Sequence, residues 1–211
     1  MRAEPLQRDV LPAALPGFEK VRRYRNAADQ LIARLLPGDF YVTCQDEVLD
    51  TVLGSCVSAC IRNPRLRIGG MNHFLLPIAN GRTDDSWDKG PGRATRYGSA
   101  SMEHLINRIL AAGGSRGELE VKIFGGGRIL AALTDVGADN VKFVRDYLRR
   151  EGMHLAAEDV GAGVARHVQY FPLTGRARVR HLNTHQEVAH NEQRYLNGLE
   201  RAPLAGEIDL F

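Results

Sequence analysis

Apolar and polar positions change period several times along this chain. From Glu19 to Leu36, Val21, Tyr24, Ala27, Leu31 and Leu35 recur at the spacing of one helix face, and Pro37-Gly38 ends the run. That pattern predicts an amphipathic helix. Phe40 to Val48 reads as a strand. Two apolar runs, Cys56–Ile61 and Ile68–Leu76, flank the turn signal Asn63-Pro64 and predict a hairpin. From Ser101 to Ala112, Met102, Leu105, Ile106, Ile109 and Leu110 form a helical stripe that Gly113-Gly114 stops. A strand follows at Glu118–Phe124. A helix is expected at Asn140–Arg150, capped by Asp139 or Asn140 and ended at Gly152. His167–Phe171 and Arg176–Leu182 flank Pro172-Leu-Thr-Gly175 as a second hairpin. His185 to Phe211 is polar with sparse apolar residues and reads as a helix and a tail. Strands dominate and helices interrupt them irregularly, which predicts an α+β fold.

The ends and one internal stretch break the periodicity. Residues 1–18 carry Pro5, Pro12 and Pro16 and read as a poorly ordered arm. Residues 78–98 are polar and Gly-rich and hold the one tryptophan, Trp87. A loop of about 20 residues in a compact domain is usually functional or disordered. The expectation is that it borders the functional cleft, with Trp87 holding or covering substrate.

Composition narrows the class. At 211 residues, 44% hydrophobic and 25% charged, the chain suits one globular domain. A formal charge of +3 is too mild to argue for nucleic acid. Three cysteines, Cys44, Cys56 and Cys60, do not make a disulfide framework. Met1 to Lys20 lacks the apolar core of a signal peptide, and no apolar stretch approaches membrane-spanning length. The expectation is a cytoplasmic protein with reduced thiols and no membrane insertion.

Chemistry concentrates in the first hairpin. A symmetric turn centred between Pro64 and Arg65 pairs Cys56 with His73 across the strands, Cβ atoms about 5 Å apart on one face. A thiol beside an imidazole is the minimum for nucleophilic catalysis, while a small core cysteine and a structural histidine are the plain alternative. Cys60 shares the face two pleats away, opposite Gly69, and is expected to be structural. A zinc site is disfavoured, because Cys-x₃-Cys on a strand sets the thiols roughly 13 Å apart. Gly125-Gly126-Gly127 lacks the pattern of a phosphate loop and reads as close backbone approach. His181, His185 and His190 read as solvated.

The segments Thr51-Val-Leu-Gly-Ser-Cys56-Val and Gly69-Gly-Met-Asn-His73-Phe-Leu-Leu-Pro77 resemble the CheD family of chemoreceptor glutamine deamidases. The resemblance continues through Arg96-Tyr97-Gly98, Lys122-Ile-Phe-Gly-Gly-Gly127, Asn140-Val-Lys-Phe-Val144, Ala157-Glu-Asp159 and Phe171-Pro-Leu-Thr-Gly175. It covers roughly residues 38–182 and implies mixed β-sheets layered with α-helices, similar to toxin-type cysteine deamidases; the single deamidase domain is expected over residues 19–182, with a C-terminal extension at 183–211. It implies a cofactor-free cysteine hydrolase that converts receptor glutamines to glutamates, with Cys56 as nucleophile and His73 as its base. Thr51 is the nearest match to a third site residue, and its neighbour Asp50 is the alternative. Partners implied are the helical cytoplasmic region of chemoreceptors and a CheC-type phosphatase.

The expected mechanism has a Cys56 thiolate of depressed pKa attack the carboxamide, with backbone N–H groups near Gly54 and Ser55 stabilising the oxyanion. Two other readings share these residues. One is a non-catalytic receptor-binding module; the other is a protease or transglutaminase with the same first step.

Overall fold

The computed structural model describes residues 11–77, 93–129, 135–183 and 186–201. Among these residues ten strands form two five-stranded sheets, and three α-helices accompany them. In the first sheet the order is β1 (Arg22–Arg25), β2 (Leu31–Arg34), β4 (Glu47–Leu53), β9 (Ala165–Phe171) and β10 (Arg176–Leu182). In the second it is β3 (Phe40–Thr43), β6 (Ile68–Asn72), β5 (Val57–Asn63), β7 (Glu120–Gly125) and β8 (Leu155–Val160). β2 runs parallel to β4 and β7 parallel to β8, while the other pairs are antiparallel. One apolar core runs through both sheets and the helices α1 (Arg93–Leu110) and α2 (Val136–Arg150). The fold is mixed α+β, as expected.

The helix predicted over residues 19–36 is instead the β1–β2 hairpin. Its turn is built by Asn26, whose side-chain oxygen accepts from the N–H groups of Ala28 and Gln30, with Asp29 in the left-handed region at φ 59°. An asparagine that binds the backbone just ahead of it is turn chemistry, and it overrides the 3.6-residue spacing. Leu31, Ile32 and Ala33 are all buried, as befits a strand covered on both faces, whereas Tyr24 and Ala27 of the supposed apolar stripe are exposed.

Other boundaries move less. The predicted strand 40–48 is two strands broken at Cys44–Asp46. Helix α2 starts at Val136 with Asp135 as its cap, accepting from the Ala138 N–H, so Asn140 lies inside the helix and is buried. The β8 strand was not anticipated. Toward the N-terminus, Phe18 packs in the core, edge-on to Phe40 and Tyr41. Most of the long connection, including Trp87, lies outside the described residues, and so does His185.

The hairpin of Cys56 and His73 keeps its faces but not its exact pairing. Cys60 pairs with Met71, and an isolated bridge joins Val57 to Phe74. The expected Cys56–His73 and Cys60–Gly69 pairs are therefore each off by two positions. The connection is Pro64–Arg67, with Asn63 accepting from the Leu66 N–H at 3.0 Å and Arg67 at φ 54°. That centres the turn between Arg65 and Leu66. A shift of two conserves the side-chain face, whereas a shift of one would have reversed it. Cys56 and His73 become diagonal neighbours on the same face.

Candidate active site

Three strands converge on one buried cluster. Cys56 stands just before β5, His73 just after β6, and Thr51 within β4 of the other sheet. All three are buried. The Cys56 Sγ and a His73 ring nitrogen lie within 4.8 Å of one another. Thr51 Oγ1 lies 2.8 Å from His73 Nδ1 and 2.9 Å from the Leu35 carbonyl oxygen. A hydroxyl has one proton. The Leu35 oxygen only accepts, so it takes that proton, and Thr51 accepts from Nδ1–H. The proton is thereby fixed on Nδ1. Nε2 is left bare, buried and without a hydrogen-bond partner, the form a general base needs.

Asp50 is excluded from this cluster by strand geometry, since successive residues point to opposite faces. It binds Arg34, His167 and Gln169 instead. Burial alone would raise its pKa, but the His167 and Arg34 partners outweigh that and hold it below the usual value.

The turn carrying Cys56 is clamped from several sides. The Gly126 N–H donates to the Cys56 carbonyl at 2.7 Å and the Gly127 N–H to the Gly54 carbonyl at 2.6 Å. Gly125 adopts φ 107°, and a Cβ there would come within 2.2 Å of the Cys56 oxygen. The glycine run therefore serves close backbone approach. Asn140 bridges the two halves of the site: its amide donates to the Ser55 carbonyl at 2.8 Å and its oxygen accepts from the Leu76 N–H at 2.9 Å. Asn72, on the opposite face from His73, accepts from the Ala59 N–H at 2.8 Å. Cys60 is fully buried, and burial drives its thiol pKa up.

The fourth polar group in the cluster comes from far along the chain. Glu192, on the C-terminal helix α3 (Gln186–Arg201), is 2% exposed. Its Oε1 accepts from the N–H groups of Gly54 (2.8 Å) and Cys56 (3.1 Å). Its Oε2 accepts from the Ser55 N–H and Oγ, each at 2.7 Å. Sequence reasoning missed this residue. It follows no motif and lies 136 positions from Cys56. It also missed the bridging role of Asn140.

These contacts reverse one expectation. Burial first, then the Glu192 charge, push the Cys56 thiol pKa well above its ordinary value rather than below it. Burial likewise lowers His73 to about 4, against smaller opposing effects of the Glu192 charge and the Leu35 carbonyl. With Glu192 in place, thiol and imidazole are both neutral.

The family model described as CheD chemotactic sensory transduction matches residues 75–181. A probable chemoreceptor glutamine deamidase CheD of Halorhodospira halophila is 49% identical over 206 residues, covering 96% of this chain and 95% of that one. This chain belongs to the CheD family. Another probable CheD, of Hahella chejuensis, is 42% identical, with 95% of each chain covered. One from Hydrogenovibrio crunogenus is 44% identical over 84% of this chain and 93% of that one. The solved structure of Bacillus licheniformis hypothetical protein YfiH shares a TM-score of 0.30 and 19% identity over 49% of this chain and 33% of that one, too slight to bear on the fold.

In this CheD-family chain, Cys56, His73 and Glu192 stand close enough together to raise the question of a metal ion. Each Glu192 oxygen already accepts two hydrogen bonds from residues 54–56, which a metal ion would have to displace. Among the described residues no helix is long and apolar enough to cross a membrane.

Proposed function

We propose that this chain is a chemoreceptor glutamine deamidase, with residues 19–182 as its catalytic unit, acting in the cytoplasm on the helical region of its receptors. The observation that carries the reading is the chain Thr51–His73–Cys56, ending on a turn whose N–H groups converge on one carboxylate-sized site. Family membership and the names of the relatives support the substrate class.

The steps follow from the residues. His73 Nε2 takes the Cys56 thiol proton, and the sulfur bonds to the glutamine carboxamide carbon. The oxyanion rests on the N–H groups of Gly54 and Cys56, which now share one Glu192 oxygen, where one donor is commonly worth about 3 kcal/mol. His73 returns the proton to the amide nitrogen, the carbon–nitrogen bond breaks and ammonia leaves. Water, deprotonated by His73, then hydrolyses the thioester to glutamate. Thr51 holds the imidazole in the required tautomer throughout. Trp87 remains a proposed substrate contact on the strength of its loop alone, and a CheC-type phosphatase remains a proposed partner on the family resemblance.

Peptide mass spectrometry of a chemoreceptor cytoplasmic fragment incubated with the protein tests the reaction. Glutamine should become glutamate with wild type, and Cys56→Ala should leave the fragment unchanged while still binding it. Conversion by Cys56→Ala would reject the mechanism. Binding without conversion by any form would favour a docking module.

A further inference from the structure

The Cys56 turn is occupied. Its three converging N–H groups do not face open space; they hold the Glu192 carboxylate. Glutamate is the product of the proposed reaction, and its side chain has the shape of the substrate glutamine. Helix α3 therefore presents a product group to the subsite where a substrate amide has to sit.

The way α3 lies on the body extends the likeness. Among its described side chains only Glu192 and Leu196 are buried, one turn apart on a single face. Tyr195, between them, is partly buried, and its hydroxyl hydrogen-bonds that of Tyr97 on α1. Tyr195 also lies over Gly38, where an added Cβ would come within 2.5 Å of its hydroxyl. Helices α1 and α2 bury whole apolar stripes by comparison. Among the described residues α3 is thus held chiefly by one carboxylate, one leucine and one tyrosine, with Val188, Ala189 and Leu199 partly buried beside them, a small attachment for 16 residues. Meanwhile Cys56 is 0% exposed, so a side chain on another protein has no route to it in this arrangement.

We propose that the face covered by α3 is the docking surface for the substrate helix, and that α3 occupies it in cis with Glu192 standing in for the reaction product. The partner chemistry follows from the occupant. It is a helix carrying the target glutamine at position i and an apolar residue at i+4, with room for an aromatic at i+3, the places taken by Glu192, Leu196 and Tyr195. The substrate helix has to displace α3 before it can reach Cys56, so the free protein rests in a closed state and the receptor competes with a tethered segment. The naming of that helix as a deamidation substrate rests on the proposed function; the occlusion of Cys56 does not.

The experiment uses full-length protein with Glu192→Ala and, separately, Leu196→Ala, which loosens α3 without touching the site. Circular dichroism checks the fold, and peptide mass spectrometry follows iodoacetamide labelling of Cys56, with exposed Cys44 as the internal reference. Conversion of a chemoreceptor fragment is measured in parallel. Both variants should label Cys56 about tenfold faster or more and convert the fragment faster than wild type. Faster labelling in both variants with no conversion by any form, wild type included, would uphold the cover and sink the deamidase reading. Unchanged Cys56 labelling in both folded variants would overturn the proposal. So would loss of conversion in folded Glu192→Ala with unchanged labelling in Leu196→Ala, since Glu192 would then be a fixed support of the Cys56 turn.

Discussion

At the residue scale, Thr51 offers the cleanest separation of chemistry from folding. Its hydroxyl hydrogen-bonds the Leu35 carbonyl and His73, and it sets the His73 tautomer. Thr51→Val keeps the shape but removes the hydroxyl that accepts from Nδ1–H, and the ring can turn its bare nitrogen away from Cys56. Turnover on a receptor fragment should fall about 10- to 100-fold, the usual range for losing a group that orients a working histidine, while Thr51→Ser should recover most of it. Equal activity in the valine variant would remove Thr51 from the machinery. Glu192→Gln makes a second test that needs no receptor. It hands Cys56 an amide in the position now held by the product group. Peptide mass spectrometry should find the introduced amide at position 192 partly converted back to a carboxylate. The conversion should vanish when Cys56 is also alanine. An amide that stays intact at position 192, in protein active on receptor, would show that α3 does not offer its side chain in a reactive pose. Cys56 and His73 were legible in the sequence because the hairpin fixes their face by parity, which survives a two-residue error in register. The choice of Thr51 over Asp50 was not legible, since it depends on which face of β4 meets the second sheet. Glu192 was invisible for the same reason: only the tertiary fold brings it to residues 54–56.

At the element scale, the site depends on ties between segments that have no reason to stay together locally. Asn140 inside α2 holds the Ser55 carbonyl with one end and the Leu76 N–H with the other. Asn140→Ala leaves two buried backbone groups unpaired, at about 1–3 kcal/mol each. Urea unfolding should therefore show a loss of about 2–6 kcal/mol, and turnover should fall with it because Cys56 and the segment leaving His73 are no longer fixed to each other. A loss below about 1 kcal/mol would mean that water replaces both bonds. Helix α3 behaves oppositely. Its one fully buried apolar side chain, Leu196, is worth about 2 kcal/mol, so Leu196→Ala should cost global unfolding no more than about that while α3 amides exchange hydrogen much faster than those of the sheets. Helix α1 was readable from its continuous apolar stripe, and the β9–β10 hairpin from the Pro172 and Gly175 that mark its turn. Residues 19–36 misled, because Asn26 reorganises the backbone there and a chance helical spacing does not.

At the scale of the whole molecule, the site is a seam. Thr51 belongs to one sheet, and Cys56 and His73 flank strands of the other, so the proposed catalytic chain exists only while both sheets share their core. No local pattern announces this. The parallel pairing of β2 with β4 and of β7 with β8 joins segments through long-range contacts that periodicity does not encode. The seam makes stability sensitive to acid in a defined window. His73 keeps its proton off down to about 4 when folded, because burial penalises the imidazolium, whereas an unfolded histidine titrates near about 6.5. Between those values the unfolded chain binds the extra proton, so stability rises with pH and is lost as pH falls from about 6.5 to about 4. For this one buried group the loss is about 3 kcal/mol. Asp50 and Asp159 have lowered folded pKa values, so their contributions go at lower pH, as it falls through the carboxylate range. The two effects separate in His73→Gln, which has no titrating ring. Urea unfolding at a series of pH values should show wild type weakening steeply between about pH 6.5 and 4 and the variant weakening less there, with the two curves parallel below. Parallel curves throughout would mean that His73 takes its proton in the folded state as easily as in water, and that the seam around it opens enough to admit solvent.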